Sequence, residues 1–465
     1  MPGEVKKILD HLIESRSEGS DLIAWDVEAK LVMAGMDPQE FSLTSEDSAS
    51  KVAKAKAIAT LMDVDLEAPQ DASNVQDISS AIDDFEGQVS DLTAGSRDIH
   101  VIHSEAQDLD DLLASLSSQA DHAGFEASAV LFFASSKRDP QWVSAGMKEM
   151  FPQAEVFGCT TAGEQTRTGF HEDSVVAMMF GASAVPDLSV AVVEELSKGA
   201  DVTGAIEQFQ GNFGQPIMQM SRDEYVGLIL IDGLSGSEER IMADIGNRTN
   251  VPFVGASAGD DMRFETTHVF ANGAHYTDAA VLVLLRPAVG FEIVKTQSVT
   301  VSDSVLTATK VTEGGREVLE FNGQPATEAY AQALGCSVED AEQRAVLHPL
   351  GLMVGDEPFL RSPMGFSGQS MRMACQISEG MRLRVCEASN TVEGTRSVID
   401  DVLARGPVSG LVNFHCEYRT LELTHRGQMA GYEAVFADLP TIGFGTYGEQ
   451  YIGHVNQTST MLVFR

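Results

Sequence analysis

Ala154-Glu-Val-Phe-Gly-Cys-Thr-Thr-Ala-Gly-Glu164 decides the fold. An apolar run meets Gly158, a second glycine follows at Gly163, and an acid stands directly after it. Glycine permits backbone angles and close approaches that a Cβ forbids, so the segment reads as a strand ending in a tight turn with backbone N–H groups and a carboxylate on offer. Near copies occur at Val251-Pro-Phe-Val-Gly-Ala-Ser-Ala-Gly-Asp260 and Leu439-Pro-Thr-Ile-Gly-Phe-Gly-Thr-Tyr-Gly-Glu449. Working outward, each copy follows an apolar strand: Ala129-Val-Leu-Phe-Phe-Ala134, Val226-Gly-Leu-Ile-Leu-Ile-Asp232 and Gly410-Leu-Val-Asn-Phe414. A helix is predicted after the first two of these, opened by Asp139-Pro140 and from about Ser237, since proline suits a first helical turn. Closing strands follow at Val175–Phe180, Ala280–Leu285 and Thr460–Phe464. One unit used three times predicts an α/β (mixed α+β) class, with mixed sheets flanked by helices.

Residues 1–95 read differently. Val5, Ile8, Leu9 and Leu12 recur at helical spacing, as do Leu22, Ile23, Val27, Leu31 and Val32, and then Val52, Ala55, Ile58 and Leu61. They predict a small all-helical region, followed by a linker over Met62–Asn74 and a further acidic-faced helix over Val75–Leu92. Between the second and third copies lie expected strands at 290–299, 305–311, 351–354, 371–377 and 382–386, with helices at 327–334 and 392–403. The chain is accordingly divided into a helical region at 1–95, one module at 98–288 and a related one at 289–465.

The chain has 465 residues, 43% of them hydrophobic, so it can bury large cores. Its net charge of -38 would repel nucleic acid and anionic membranes, which argues against both as partners. No stretch approaches the ~20 apolar residues of a membrane span, and the opening Met1–Lys7 leads into an amphipathic pattern, so a soluble, cytoplasmic protein is expected. Five widely spaced cysteines with no C-x-x-C pair point to reduced thiols.

The acids beside the glycine turns, Glu164, Asp260 and Glu449, could accept hydrogen bonds from an amine or hydroxyl. Gly443-Phe-Gly-Thr-Tyr-Gly448 matches the dinucleotide fingerprint literally, but that motif needs a helix after it, and Gln450–Ser459 reads as strand and turn. Cys416 is the most plausible nucleophile, with His415 and His454 as conceivable bases. A cysteine on an apolar strand is usually inert, so an enzyme is not expected.

Together these residues resemble the FIST sensory family, whose members pair an N-terminal with a C-terminal FIST domain. The carriers are Val156–Glu164, Leu230–Gly233 and Val254–Asp260 in the first part, then Glu320–Ala326, Phe359–Arg361, Phe414–Arg419, Phe444–Glu449 and Asn456–Thr458. The resemblance covers roughly residues 100–465. It implies a signal-input protein that binds a small molecule, an amino acid or related metabolite. Relatives are often linked to histidine kinases, chemoreceptors or cyclic-di-GMP enzymes, and some hold haem and sense nitric oxide. No transmitter segment is present in this sequence, so output is expected through a separate partner, reached through the helical N-terminus. The expected ligand-binding set is Cys159, Thr160, Gly163, Glu164, Asp232, Gly259, Asp260, Arg361, Cys416, Arg419, Tyr447, Gly448 and Glu449, with no metal site. Arg419 or Arg361 would pair with a carboxylate, and the third copy, with Arg419 close behind its first strand, is the first choice of site. The alternatives are a haem-based nitric oxide sensor and a Cys416-dependent hydrolase or transferase.

Overall fold

The same element order recurs three times along the chain: strand, helix, strand, helix, strand, hairpin, strand. The computed structural model describes residues 3–17, 21–33, 36, 38–41, 49–62 and 98–465. Before the first copy stand α1 (Glu4–Ser17), α2 (Asp21–Met33) and α3 (Ala49–Leu61), as the apolar spacing predicts. The linker expected after Met62 and the helix expected over Val75–Leu92 lie outside the described residues.

The first copy comprises β1 (Ile99–Ser104), α4 (Leu109–Asp121), β2 (Ala127–Ser135), α5 (Pro140–Met150), β3 (Glu155–Thr161), the hairpin β4 (Glu164–Thr166) and β5 (Gly169–His171), and β6 (Val175–Gly181). Asp139 caps α5 by accepting from the Trp142 N–H at 3.1 Å, with Pro140 in the first turn where its missing N–H costs nothing. The second copy comprises β7 (Asp187–Val193), α6 (Thr203–Phe213), β8 (Val226–Ile231), α7 (Glu238–Arg248), β9 (Phe253–Ser257), the hairpin β10 (Val269–Ala271) and β11 (Ala274–Tyr276), and β12 (Ala280–Arg286).

The third copy opens with β13 (Phe291–Thr296) and is then interrupted by an insertion. This insertion contains β14 (Val299–Val311), β15 (Glu317–Phe321), β16 (Gln324–Pro325), α8 (Ala326–Leu334), α9 (Val338–Arg344), β17 (Leu350–Val354), β18 (Glu357–Arg361), β19 (Pro363–Ser367), β20 (Ser370–Met373) and β21 (Arg382–Ala388). The copy resumes with α10 (Thr391–Ala404), β22 (Gly410–Cys416), α11 (Glu417–His425), α12 (Met429–Glu433), β23 (Thr441–Thr446), the hairpin β24 (Glu449–Tyr451) and β25 (Gly453–Val455), and β26 (Ser459–Phe464).

Each copy builds one sheet by one rule. The last strand lies antiparallel between the first and second, the second and third run parallel, and a hairpin from another copy completes the edge. The orders are β1-β6-β2-β3-β10-β11, β7-β12-β8-β9-β24-β25 and β13-β26-β22-β23-β4-β5. Copy two therefore supplies its hairpin to copy one, copy three to copy two, and copy one to copy three. The exchange closes a ring.

Strand alternation places Leu131 and Phe133 of β2, Leu228 and Leu230 of β8, and Val412 and Phe414 of β22 in one shared core, while Val130 and Phe132 turn outward to their own helices. Phe133 packs on Phe444 with ring centroids 4.5 Å apart, joining copies one and three. The insertion forms a separate antiparallel sheet, β18-β17-β21-β14-β15-β20-β19, with β16 on β15 and with α8 and α9 packed on it. The N-terminal helices share a core of their own, and Ala29 and Val32 of α2 also join the core of the inserted sheet. Arg16 anchors α1 to the second copy through Asn250 Oδ1 at 2.8 Å.

Candidate functional site

The first glycine of each turn serves strand packing. A Cβ on Gly158 would lie 1.9 Å from the Phe132 carbonyl oxygen, and one on Gly255 1.8 Å from that of Ile229, so no other residue fits beside the parallel neighbour. Gly163 and Gly448, with φ of +102° and +152°, then turn the chain out of its strand.

In the first and third copies the acid after the turn anchors the crossing hairpin. Glu164 accepts from the Ser174 N–H at 3.1 Å, the Ser174 hydroxyl at 2.6 Å and the Thr161 hydroxyl. Glu449 repeats this with the Thr458 N–H at 3.2 Å, the Thr458 hydroxyl at 2.7 Å and the Thr446 hydroxyl. Both acids are fully buried, and burial pushes each carboxyl up to about 7 against those hydrogen bonds.

The second copy departs from the expected repeat. Strand register sets Glu164 opposite Phe444, Glu449 opposite Ala256, and Val269 opposite Cys159. The residue equivalent to the two glutamates is thus Val269, not Asp260, and its neighbours are Ala258 and Ala279 where the other copies carry hydroxyls. Asp260 instead organises the loop between β9 and β10, accepting from the N–H groups of Phe264, Glu265 and Thr266 at 2.9, 2.7 and 3.0 Å and from the Tyr447 hydroxyl. Burial opposes its ionisation, but these bonds hold it below the usual carboxylate range.

The turn amides expected to face a ligand bond to one another instead. The Gly259 N–H donates to the Thr160 carbonyl at 3.0 Å, Ala162 to Gly445 at 3.0 Å, and Tyr447 to Ser257 at 3.3 Å, a cycle running through all three copies. Other expected site residues are similarly engaged. Asp232 accepts from the Thr267 hydroxyl and the Asp278 N–H, and Thr160 Oγ1 accepts from the His268 N–H at 2.9 Å. Arg419 is 1% exposed and donates to the Thr296 carbonyl and the Thr395 hydroxyl, both at 2.8 Å. Cys159 and Cys416 are fully buried, with burial raising both thiols well above the ordinary range.

Beside the turn cycle, at the carboxyl ends of β8, β22 and β23, opens a cavity of about 260 Å³. Gly233, Glu417, Tyr418 and Tyr447 line it from the repeats, Phe264 from the Asp260 loop and Arg372 from the inserted sheet. Phe264 stacks on Tyr447 at 4.8 Å, although its own side chain is largely exposed. Glu417 is only 8% exposed, and its Oε2 has no hydrogen-bond partner among the described residues. Burial raises its carboxyl to about 8, with the Asp261 charge adding to the effect and Thr420 opposing it. Arg372 is exposed and makes no ion pair among the described residues, whereas Arg316 is held by Glu238 at 2.8 Å and Glu239 at 2.7 Å.

Of the residues expected from the sequence, Tyr447 lines this cavity, whereas Glu417, Phe264 and Arg372 line it without having been among them. One signal for Glu417 was present: it directly follows the second strand of its copy, as Asp232 does. A second cluster, Glu239, Cys375 and His454, sets potential metal-ligand atoms within 4.8 Å of one another. Glu239 already accepts from Arg316 and the Gln376 N–H, and Cys375 points its thiol at Asn456 Oδ1, 2.9 Å away. Glu239 and Cys375 are thus committed to internal bonds.

Comparison with known proteins accords with this architecture. The FIST N domain profile matches residues 128–324, and the FIST C domain profile matches residues 326–452. The chain belongs to the FIST family. FIST domains are regarded as sensory signalling domains and carry no known catalytic activity. The uncharacterized protein MJ1623 of Methanocaldococcus jannaschii is 24% identical over 220 residues, which is 45% of this chain and 41% of that relative. In this FIST protein the two matched regions interweave: β4–β5 of the N domain completes a C-domain sheet edge, and β24 of the C domain pairs with β9 of the N domain. Among the described residues no helix is long and apolar enough to cross a membrane.

Proposed function

We propose that this chain is a cytoplasmic signal-input protein that binds an amino acid or related amine-bearing metabolite in the cavity beside the turn cycle. Glu417 receives the ammonium, Arg372 the carboxylate, and Phe264 and Tyr447 flank the apolar body. The observation that carries this reading is Glu417 Oε2, a buried carboxylate oxygen without a partner at a cavity wall. A buried acceptor left unmade costs free energy that a ligand cation would recover. The bound state is passed to a separate signalling protein such as a histidine kinase or cyclic-di-GMP enzyme, contacted through the N-terminal helices.

A thermal-shift screen of amino acids and their decarboxylated amines tests the assignment. A hit should stabilise the protein by RT ln(1 + [L]/Kd), about 2.7 kcal/mol at a hundredfold excess over Kd. Glu417→Gln should abolish that response, and Arg372→Ala should abolish it for amino acids, while both leave the unliganded melting point near its original value. Hits that persist in both variants would remove this cavity from consideration. A Soret band in the purified protein, shifted by nitric oxide, would favour the haem reading instead.

A further inference from the structure

Among the described residues Arg361 is an anomalously placed charge. It ends β18, is 2% exposed, and has no carboxylate partner among the described residues. Among the described residues its one side-chain hydrogen bond is a long one, 3.4 Å from Nη1 to the Phe359 carbonyl, and its Nε has no partner. An isolated buried guanidinium is costly, and it is all the more conspicuous in a chain of net charge -38 with abundant acids available to pair with it.

Arg361 lines a separate cavity of about 350 Å³. The walls include Glu239 and Arg240 of α7, Gln376 and Met381 of the inserted region, and His454 of β25. His454 is 1% exposed, and its Nε2 is also without a partner. With the Gln450 amide N–H on Nδ1 at 3.1 Å, the ring proton sits on Nε2, so the imidazole is a donor there. Burial lowers its pKa and keeps the ring neutral. Arg240 is occupied by the Ser237 hydroxyl at 3.0 Å and the Leu196 carbonyl, and Glu239 by Arg316. The side-chain groups left without a good acceptor are the Arg361 guanidinium and the His454 Nε2. Lys30 and Leu31 of α2, with Ile58 and Met62 at the end of α3, form the opposite side.

We propose that this cavity binds a small monocarboxylate, gripped by the Arg361 guanidinium and the His454 imidazole beneath a roof formed by α2 and α3. The planar fork of the Arg361 guanidinium suits a carboxylate. The anion would lie between the sensory core and the N-terminal helices, so its occupancy would tighten their docking. The site shares no lining residue with the Glu417 cavity, and the two assignments stand or fall separately.

The test uses the full chain at constant chloride, with acetate, butyrate, hydroxybutyrate and benzoate as probes, each beside its uncharged amide, and inorganic phosphate as a further anion. At least one carboxylate should raise the melting point while its amide does not, and should slow hydrogen exchange in α2 and α3. Arg361→Met should abolish both responses and raise the melting point of the unliganded protein, because it removes an uncompensated charge. A purely structural arginine predicts the reverse, a lower unliganded melting point. The proposal is overturned if no carboxylate outperforms its amide, if phosphate alone acts, or if Arg361→Met responds as the parent does.

Discussion

Glu164 and Glu449 are carboxyls whose ionisation the fold opposes at neutral pH. Their folded pKa near 7 lies above the ordinary 4.5, so the folded state retains protons that the unfolded chain releases. The stabilisation is therefore complete below about pH 4.5 and is lost as pH rises through about 7. At about 1.4 kcal/mol per pH unit, this corresponds to roughly 3 kcal/mol for each carboxyl. Thermal melts from about pH 5 to 8 should show stability falling, and Glu164→Gln or Glu449→Gln should flatten the fall, because an amide has no proton to lose. Glu417 gives the opposite dependence for ligand binding. With its carboxyl raised to about 8, an ammonium ligand must displace its proton. Affinity should thus weaken about tenfold per pH unit below that value in calorimetric titrations of the parent protein.

At the scale of the turn element, the three copies present two solutions to one packing problem. Copies one and three bury Thr161, Glu164 and Ser174, or Thr446, Glu449 and Thr458, as a hydrogen-bonded set, whereas copy two buries Ala258, Val269 and Ala279. Glu164→Val alone leaves the Ser174 hydroxyl and N–H without their acceptor and the Thr161 hydroxyl with only the Ala134 carbonyl at 3.3 Å, and should cost about 1–3 kcal/mol or more. Adding Thr161→Ala and Ser174→Ala leaves only the N–H, so the triple variant should be more stable than the single one in denaturant melts.

The glycine turns and the central strands β2, β8 and β22 were legible from the sequence because β-branched and aromatic runs surround glycines that only a close strand approach explains. The opening strands were not recognised as part of the repeat. β1 and β13 lie at sheet edges and are mostly half-buried, so neither carries a continuous apolar signature. The misassigned Asp260 has a local cause: the loop from Asp260 to His268 follows β9 directly and imitates the glycine-acid pattern at its start. Glu417 was hidden because its significance depends on Gly445 and Asp261, which lie far from it in sequence and come close only in the fold.

At the scale of the whole molecule, the exchanged hairpins bear on how the chain can be divided. Fragments 98–288 and 289–465 would each lose a hairpin that completes a sheet edge and would expose their side of the shared core. Expressed separately, they should lack a cooperative thermal transition by circular dichroism, and mixing them should restore one. An independent sharp melt for either fragment would contradict this expectation. The ring also has a consequence for biosynthesis. Glu164 pairs across to Phe444, and Phe291 to Phe464, so the sheet begun by β13 cannot be completed until Phe464 has left the ribosome. Such distant pairings make for slow folding and leave apolar strand edges open meanwhile. The nascent protein must stay soluble through that interval, and its large negative charge, through mutual repulsion between chains, is suited to keeping it so.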